Sequence, residues 1–200
     1  MSFSSFSFSD LISESTELIN HHPLTLNCKE INSIYISTLN NTHADIIIKT
    51  AKAKKNILCE KPIATNYDDT IKIFEKLDKS EVFFLEAIAY RSHEQTKFVV
   101  SKIIDGEIGE LKSIESTFGY FTKKINPKSR LYNPSLGGGA ILDVGCYPVS
   151  FSILLANLKK TNAPDPEILN VSGSICKTNV DEIAYASLVF EKKIIAKIGV

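Results

Sequence analysis

Ile57-Leu58-Cys59-Glu60-Lys61-Pro62 is the stretch on which the reading of this chain turns. Residues 57 to 59 are an unbroken apolar run, preceded by Lys54-Lys55-Asn56 and closed by a proline, the pattern of a short buried strand. Pro62 has no N–H to give a sheet and holds Lys61 extended, so the strand must end there. Glu60 and Lys61 therefore stand at a strand's carboxyl end, the edge where open α/β sheets bind ligands. The bland alternative is a solvated charge pair at a strand exit.

Moving outward, Ile31 to Thr38 is rich in β-branched and aromatic residues and reads as a strand. A helix from Asn41 or Thr42 to about Lys55 follows, with Ala44, Ile47, Ile48 and Ala51 facing inward. A second helix spans Tyr67 to Leu77, with Asp68-Asp69 in its first turn, and Val82 to Leu85 is a third strand. Strand, helix, strand, helix, strand implies a parallel sheet. Ahead of it, Ser9 to Ile19 reads as a short helix after a Ser/Phe-alternating start, and His21-His22-Pro23 ends it. The paired histidines have no third ligand at metal-binding spacing.

Beyond a helix at Gln95 to Ile104 the grammar changes. Leu111 to Phe118, Ile168 to Ile175, Ala184 to Glu191 and Ile194 to Val200 alternate apolar and polar residues, as half-exposed strands do. One helix, Ala140 to Asn157, lies among them. This is an α+β layer, and the change of domain is expected between residues 91 and 92.

Composition narrows the function. Lys plus Arg and Asp plus Glu number 23 each, so the net charge is zero and no basic face is offered to nucleic acid or a membrane surface. A small-molecule partner fits better. The four cysteines are widely spaced, which indicates neither a zinc site nor a disulfide framework and suits a reducing, cytoplasmic setting. No run reaches the roughly 18 apolar residues of a membrane span, and no secretory leader is legible. All nine glycines lie at or beyond Gly106, so the first 105 residues hold no glycine-rich phosphate loop.

A second cluster, Gly137-Gly138-Gly139-Ala140-Ile141-Leu142-Asp143-Val144-Gly145-Cys146-Tyr147-Pro148, opens the later helix. In an α-helix starting near Ala140, Asp143 and Tyr147 are four apart and share a face. A carboxylate can orient a phenol and an ammonium can lower its pKa, so a Lys, Tyr and Asp set can transfer protons. The structural alternative makes Asp143 a first-turn residue suited to the helix dipole and Tyr147 a packed aromatic. The glycines offer a cradle for an anion on free N–H groups. Pro148 is expected to bend the helix.

Four stretches in order resemble the successive motifs of the Gfo/Idh/MocA oxidoreductases, nearest to their glucose–fructose oxidoreductase, NADP-dependent xylose dehydrogenase and dimeric dihydrodiol dehydrogenase branches. They are Asn32 to Thr38 with His43, Cys59-Glu60-Lys61-Pro62, Phe84-Leu85-Glu86-Ala87 with Tyr90-Arg91, and Gly137 to Gly145 with Tyr147. The resemblance implies an α/β fold: a partial Rossmann-like parallel sheet over residues 1–91, then an incomplete α+β domain with an open antiparallel sheet over 92–200. It implies NAD(P)-dependent hydride transfer to or from a sugar, polyol or dihydrodiol carbon.

By the same resemblance, Lys61, Asp143 and Tyr147 are catalytic. Thr38, Asn40, His43, Glu60, Lys61 and Arg91 line the cofactor, NADP or NAD, and Arg130, Asp143 and Tyr147 meet the substrate. The complete family fold forms homo-oligomers through the second sheet. The family's opening strand and G-x-G-x-x-G turn are not found, and its second domain runs further, so the chain is expected to be shortened at both ends. The alternative function is a catalytically inactive truncated member, at most an interaction module. An unpaired sheet edge over residues 168–200 predicts self-association.

Overall fold

The computed structural model describes residues 17–18, 26–158 and 164–200 of the chain. The Ser/Phe start, most of the expected helix at 9–19 and the paired histidines lie outside them. Contacts divide the chain into Met1–Ile88 and Ala89–Val200. Tyr90 and Arg91 hydrogen-bond to Ser150 within the second unit.

In the first unit four strands lie in the order β1 (Glu17–Leu18), β2 (Ser33–Ile36), β3 (Asn56–Glu60) and β4 (Phe84–Ala87), all parallel. Residues 17 and 18 were expected in a helix and instead pair with Ile34 and Tyr35. Short apolar runs do not distinguish the two periods, and the free edge of β2 decides the matter. The chain thus does place a strand ahead of β2.

Helix α1 (His43–Lys52) links β2 to β3, and α2 (Tyr67–Asp78) links β3 to β4. Neither Asn41 nor Thr42 acts as the expected side-chain cap of α1; a 3₁₀ turn at Asn40–Thr42 leads into it. In α2 Asn66 caps by accepting the Asp69 N–H at 2.9 Å. Ile34, Ile36, Ile47, Ala51, Ile57 and Ile73 form the core under the sheet.

The second unit holds α3 (Glu94–Ile104), β5 (Ser113–Thr117), α4 (Cys146–Ala156), β6 (Glu167–Ile175), β7 (Asp181–Val189) and β8 (Ile195–Gly199). Its sheet runs β5-β8-β7-β6. β6, β7 and β8 are antiparallel, but β5 pairs with β8 in parallel, so the sheet is mixed rather than antiparallel throughout. Alternation fixes which face of a strand is buried; it does not fix direction, which here follows from the long crossover from β5 to β8.

Ile114, Leu155, Leu188, Phe190, Ile194 and Ala196 make this unit's core. Among the described residues one stretch, Pro134–Ala156, is long and apolar enough to cross a membrane, and 50% of its 18-residue apolar window is buried.

Candidate functional site

The residues expected to act fall into two groups, one in each unit. In the first unit they gather where β2, β3 and β4 end. Period-two alternation and the register Tyr35↔Leu58 put Tyr35, Leu58 and Glu60 on one face of the sheet. The Tyr35 hydroxyl donates to Glu60 Oε1 at 2.6 Å. Burial first, and this carboxylate second, push the Tyr35 phenol up to about 12. Beneath it the Cys59 thiol is buried and pushed up, by desolvation and then by the Glu86 and Glu60 carboxylates, so it is an inert packing group.

Lys61 is half-buried at the strand exit, ahead of a cis bond to Pro62. The next peptide group, between Pro62 and Ile63, is held at both polar ends. His43 Nδ1 lies 2.7 Å from the Pro62 carbonyl oxygen, and the Ile63 N–H donates to Glu86 Oε1 at 3.1 Å.

His43 was expected to line the cofactor. It is fully buried, and Nε2 lies 3.1 Å from the Thr38 carbonyl, so its ring stands between the loop after β2 and the loop after β3. The Thr42 hydroxyl donates to Leu39 O at 2.7 Å, which leaves the Thr38 hydroxyl as donor to Thr42 Oγ1, also at 2.7 Å. Thr38 is half-buried and Asn40 buried.

In the second unit the triple glycine is explained residue by residue. Gly137 has φ 73° and closes a 3₁₀ turn. A Cβ on Gly138 would lie 2.8 Å from Leu131 O. A Cβ on Gly139, where φ is 119°, would lie 2.1 Å from Asp181 Oδ1. The anion that the free N–H groups attract is thus the chain's own: Asp181 Oδ2 accepts the Ile141 N–H at 2.6 Å.

The helix begins with a wide π-helical turn at Ile141–Gly145 before α4. Pro148 was expected to bend the helix at its own position; the distortion lies one turn earlier, as Pro148 has no N–H for the preceding turn.

Asp143, 7% exposed, takes the Arg130 guanidinium on Oδ1 at 2.8 Å and the Tyr120 hydroxyl on Oδ2. Burial, then Asp143, push the Tyr120 phenol up to about 12. Asp143 and Tyr120 border a cavity of about 400 Å³ that Phe121, Tyr132 and Ile183 also line. Tyr147, half-buried, has its ring edge-to-face with Phe118 at 5.2 Å and with Tyr90 at 6.3 Å. Tyr90 and Arg91 are fixed in turn, since Ser150 Oγ accepts from the Tyr90 hydroxyl at 2.9 Å and from Arg91 Nε at 2.8 Å, and Ser150 O accepts from Arg91 Nη2.

Within the first unit the structure brings together Thr38, Asn40, His43, Glu60 and Lys61; within the second it joins Arg130 to Asp143 and packs Tyr147 beside the Arg91 turn. Tyr35, Glu86, Tyr120, Ser150 and Asp181 were not singled out from sequence. Strand parity signals Tyr35 once the register is known, and Glu86 repeats the acid-at-strand-end pattern of Glu60. Tyr120 and Asp181 reach the site from 23 and 40 residues away and carry no local signal.

Residues 4–88 match the model of the oxidoreductase family with an NAD-binding Rossmann fold, and residues 99–200 match the GFO/IDH/MocA C-terminal domain. The chain belongs to the Gfo/Idh/MocA oxidoreductase family. This family member is 30% identical over 161 residues to trans-1,2-dihydrobenzene-1,2-diol dehydrogenase of Danio rerio, covering 80% of the chain and 46% of the relative. It is 32% identical over 120 residues to D-xylose 1-dehydrogenase (NADP(+)) 2 of Haloferax volcanii, covering 60% and 36%.

Its fold matches a 3-ketoreductase from Actinomadura kijaniata, solved with NADP and TDP-benzene, at a TM-score of 0.74 and 23% identity, over 90% of this chain and 54% of that one. The Gfo/Idh/MocA chain spans about half the length of the curated relatives it matches.

Proposed function

We propose that this family member serves NAD(P)-dependent oxidoreduction at an alcohol or carbonyl carbon of a sugar, polyol or dihydrodiol. Lys61, Asp143 and Tyr147 are its catalytic residues. The observation that carries this reading is the strand-end lysine, half-buried and followed by a peptide group held at both ends.

The carboxyl-edge residues fit the nicotinamide–ribose end of NADP or NAD. Glu60 uses Oε1 on Tyr35 and, among the described residues, spends Oε2 on nothing else, so Oε2 suits a ribose hydroxyl. Thr38 contributes hydroxyl lone pairs, Asn40 and His43 shape the loop that carries them, and Arg91 is a cationic group for the same ligand. Bound there, the nicotinamide supplies the acceptor or donor of hydride.

Lys61 hydrogen-bonds the reacting oxygen and stabilises negative charge on it. In oxidation Tyr147, as phenolate, takes the hydroxyl proton and becomes the phenol, and in reduction the phenol gives that proton to the carbonyl oxygen. As the substrate C–H bond breaks with its electron pair leaving as hydride, the C=O bond forms. Asp143 and Arg130 hold the substrate's remaining hydroxyls. Free, partly buried cysteines and balanced charge support a cytoplasmic setting.

A second reading, a family member that no longer catalyses, is favoured by the glycine-free first 105 residues. Charge-assisted bonds to a pyrophosphate are worth about 1 to 3 kcal/mol each. Three of them amount to roughly a thousandfold or more in affinity.

Titration with NADPH and NADH, followed by nicotinamide fluorescence, separates the readings: micromolar binding supports the enzyme, and none at millimolar cofactor refutes it for this chain.

A second copy of the chain is the partner we assign to the outer sheet. β6 is an edge strand exposed along its whole length, with Ile168, Val171 and Ile175 each more than 60% exposed. Sedimentation of a clean monomer at tens of micromolar would contradict this.

A further inference from the structure

Two residues outside the proton-transfer set converge on one peptide group next to Lys61. Pro62 O and Ile63 N belong to the same amide plane. A carbonyl oxygen only accepts, so in the tautomer with the ring proton on Nδ1 His43 donates to Pro62 O at 2.7 Å, the shorter of its two carbonyl contacts, and Glu86 Oε1 accepts the N–H from the opposite end. A planar peptide bonded at both ends has lost most of its freedom to rotate about the flanking φ and ψ. His43 comes from the first turn of α1 and Glu86 from the end of β4, so the restraint is set by two elements that flank β3 on the fold's own framework.

The burial is graded to match. His43 is fully enclosed, Glu86 is half-buried, and Lys61 is half-buried at the opening. Lys61 itself has four flexible side-chain torsions, and an ammonium on a mobile backbone would sample several angstroms.

We propose that Glu86 and His43 are positioning residues for Lys61: by clamping the Pro62–Ile63 peptide they fix the backbone from which the lysine reaches. Glu86 supplies the end open to conservative replacement, because a glutamine keeps one accepting oxygen for the Ile63 N–H while giving up the charge. The inference rests on Lys61 being the group that acts, but its consequences are readable with no cofactor or substrate present.

The test compares the chain with Glu86→Gln and Glu86→Ala in two measurements. The first is amide hydrogen exchange at Ile63 by NMR. The second is the rate at which acetic anhydride acetylates Lys61 relative to the exposed Lys72, read by mass spectrometry.

Losing a charge-assisted acceptor is expected to speed Ile63 exchange by about tenfold or more in Glu86→Ala, with Glu86→Gln within about threefold of the parent. The Lys61 to Lys72 acetylation ratio should shift about threefold or more in Glu86→Ala and recover in Glu86→Gln.

Unchanged Ile63 exchange in Glu86→Ala would show that no clamp operates. Faster exchange with an unchanged Lys61 ratio would show that the clamp does not position the lysine. Should Glu86→Ala fail to fold, Glu86→Asp, which withdraws the carboxylate by one methylene, takes its place with the same two outcomes. A chain that binds no NADPH yet shows both shifts refutes the enzymatic reading while leaving the clamp standing.

Discussion

The two candidate sites are held in place by different kinds of contact. At the edge of the first sheet, backbone groups are the restraint: the carbonyls of Thr38 and Pro62 and the N–H of Ile63 are gathered by His43 and Glu86. At the helix start of the second unit, charge is the restraint: Asp143 is held by Arg130 and Tyr120, and Asp181 fills the space left by Gly139. The first needs no glycine. The second depends on three. A loop tied by its own amide groups tolerates many side chains nearby, whereas a carboxylate seated against a backbone tolerates no Cβ at all.

The sharpest way to break that contrast is Gly139→Ala. The new Cβ would meet the Asp181 carboxylate and take a φ of 119° that alanine resists. We expect a loss of about 3 kcal/mol or more in urea unfolding. A loss under about 1 kcal/mol would mean that Asp181 moves aside freely.

Asp143→Ala comes next, leaving the Tyr120 hydroxyl and the Arg130 guanidinium without their shared acceptor. A cost of about 1 to 3 kcal/mol is expected, with Ile63 exchange in the first unit unaltered. If Ile63 exchange changed as well, the two restraints would not be independent.

Ser150→Ala removes the oxygen that takes both Tyr90 and Arg91, and about 1 to 2 kcal/mol should be lost in thermal unfolding. The Tyr147 ring, which borders Tyr90, should then show altered ring NMR shifts; unchanged shifts would show that Tyr90 does not set its orientation.

The smallest effect is on pH dependence. Tyr35 and Tyr120 are both raised from 10.0 to about 12, so the folded chain holds their protons more tightly than the unfolded chain. Their contribution is whole below pH about 10 and is lost as pH rises toward about 12. The melting temperature should fall across that window, less steeply in Tyr120→Phe. A flat profile would contradict both assignments.

How much of this was legible in sequence follows from range. The apolar runs at Ile34 to Ile36 and Ile57 to Cys59, with helices between, announce a parallel sheet because each βαβ step is local. Glu17–Leu18 escapes that reading since only pairing with β2 makes it a strand. The parallel union of β5 with β8 escapes it because the partners lie some eighty residues apart, at Ser113↔Ile195.

The site divides in the same way. Lys61, Asp143 and Arg130 stand in or beside distinctive motifs, and so does Glu86, but nothing local shows that Glu86 meets Ile63 across 23 residues or that Asp181 meets Ile141 across 40. His43 was legible as important but not in its manner of acting, since both ring nitrogens face backbone oxygens.

The role proposed for Lys61 is to act on a hydroxyl beside a nicotinamide. Its most direct test follows the change in nicotinamide absorbance when the chain is mixed with NADP or NAD and, in turn, D-xylose and a trans-dihydrodiol, for the parent and for Lys61→Met. Reduction of the cofactor by the parent with at least one substrate is expected, with a loss of about a hundredfold or more in Lys61→Met and cofactor affinity kept. Equal rates in the two chains, or none in the parent at saturating cofactor, would contradict it.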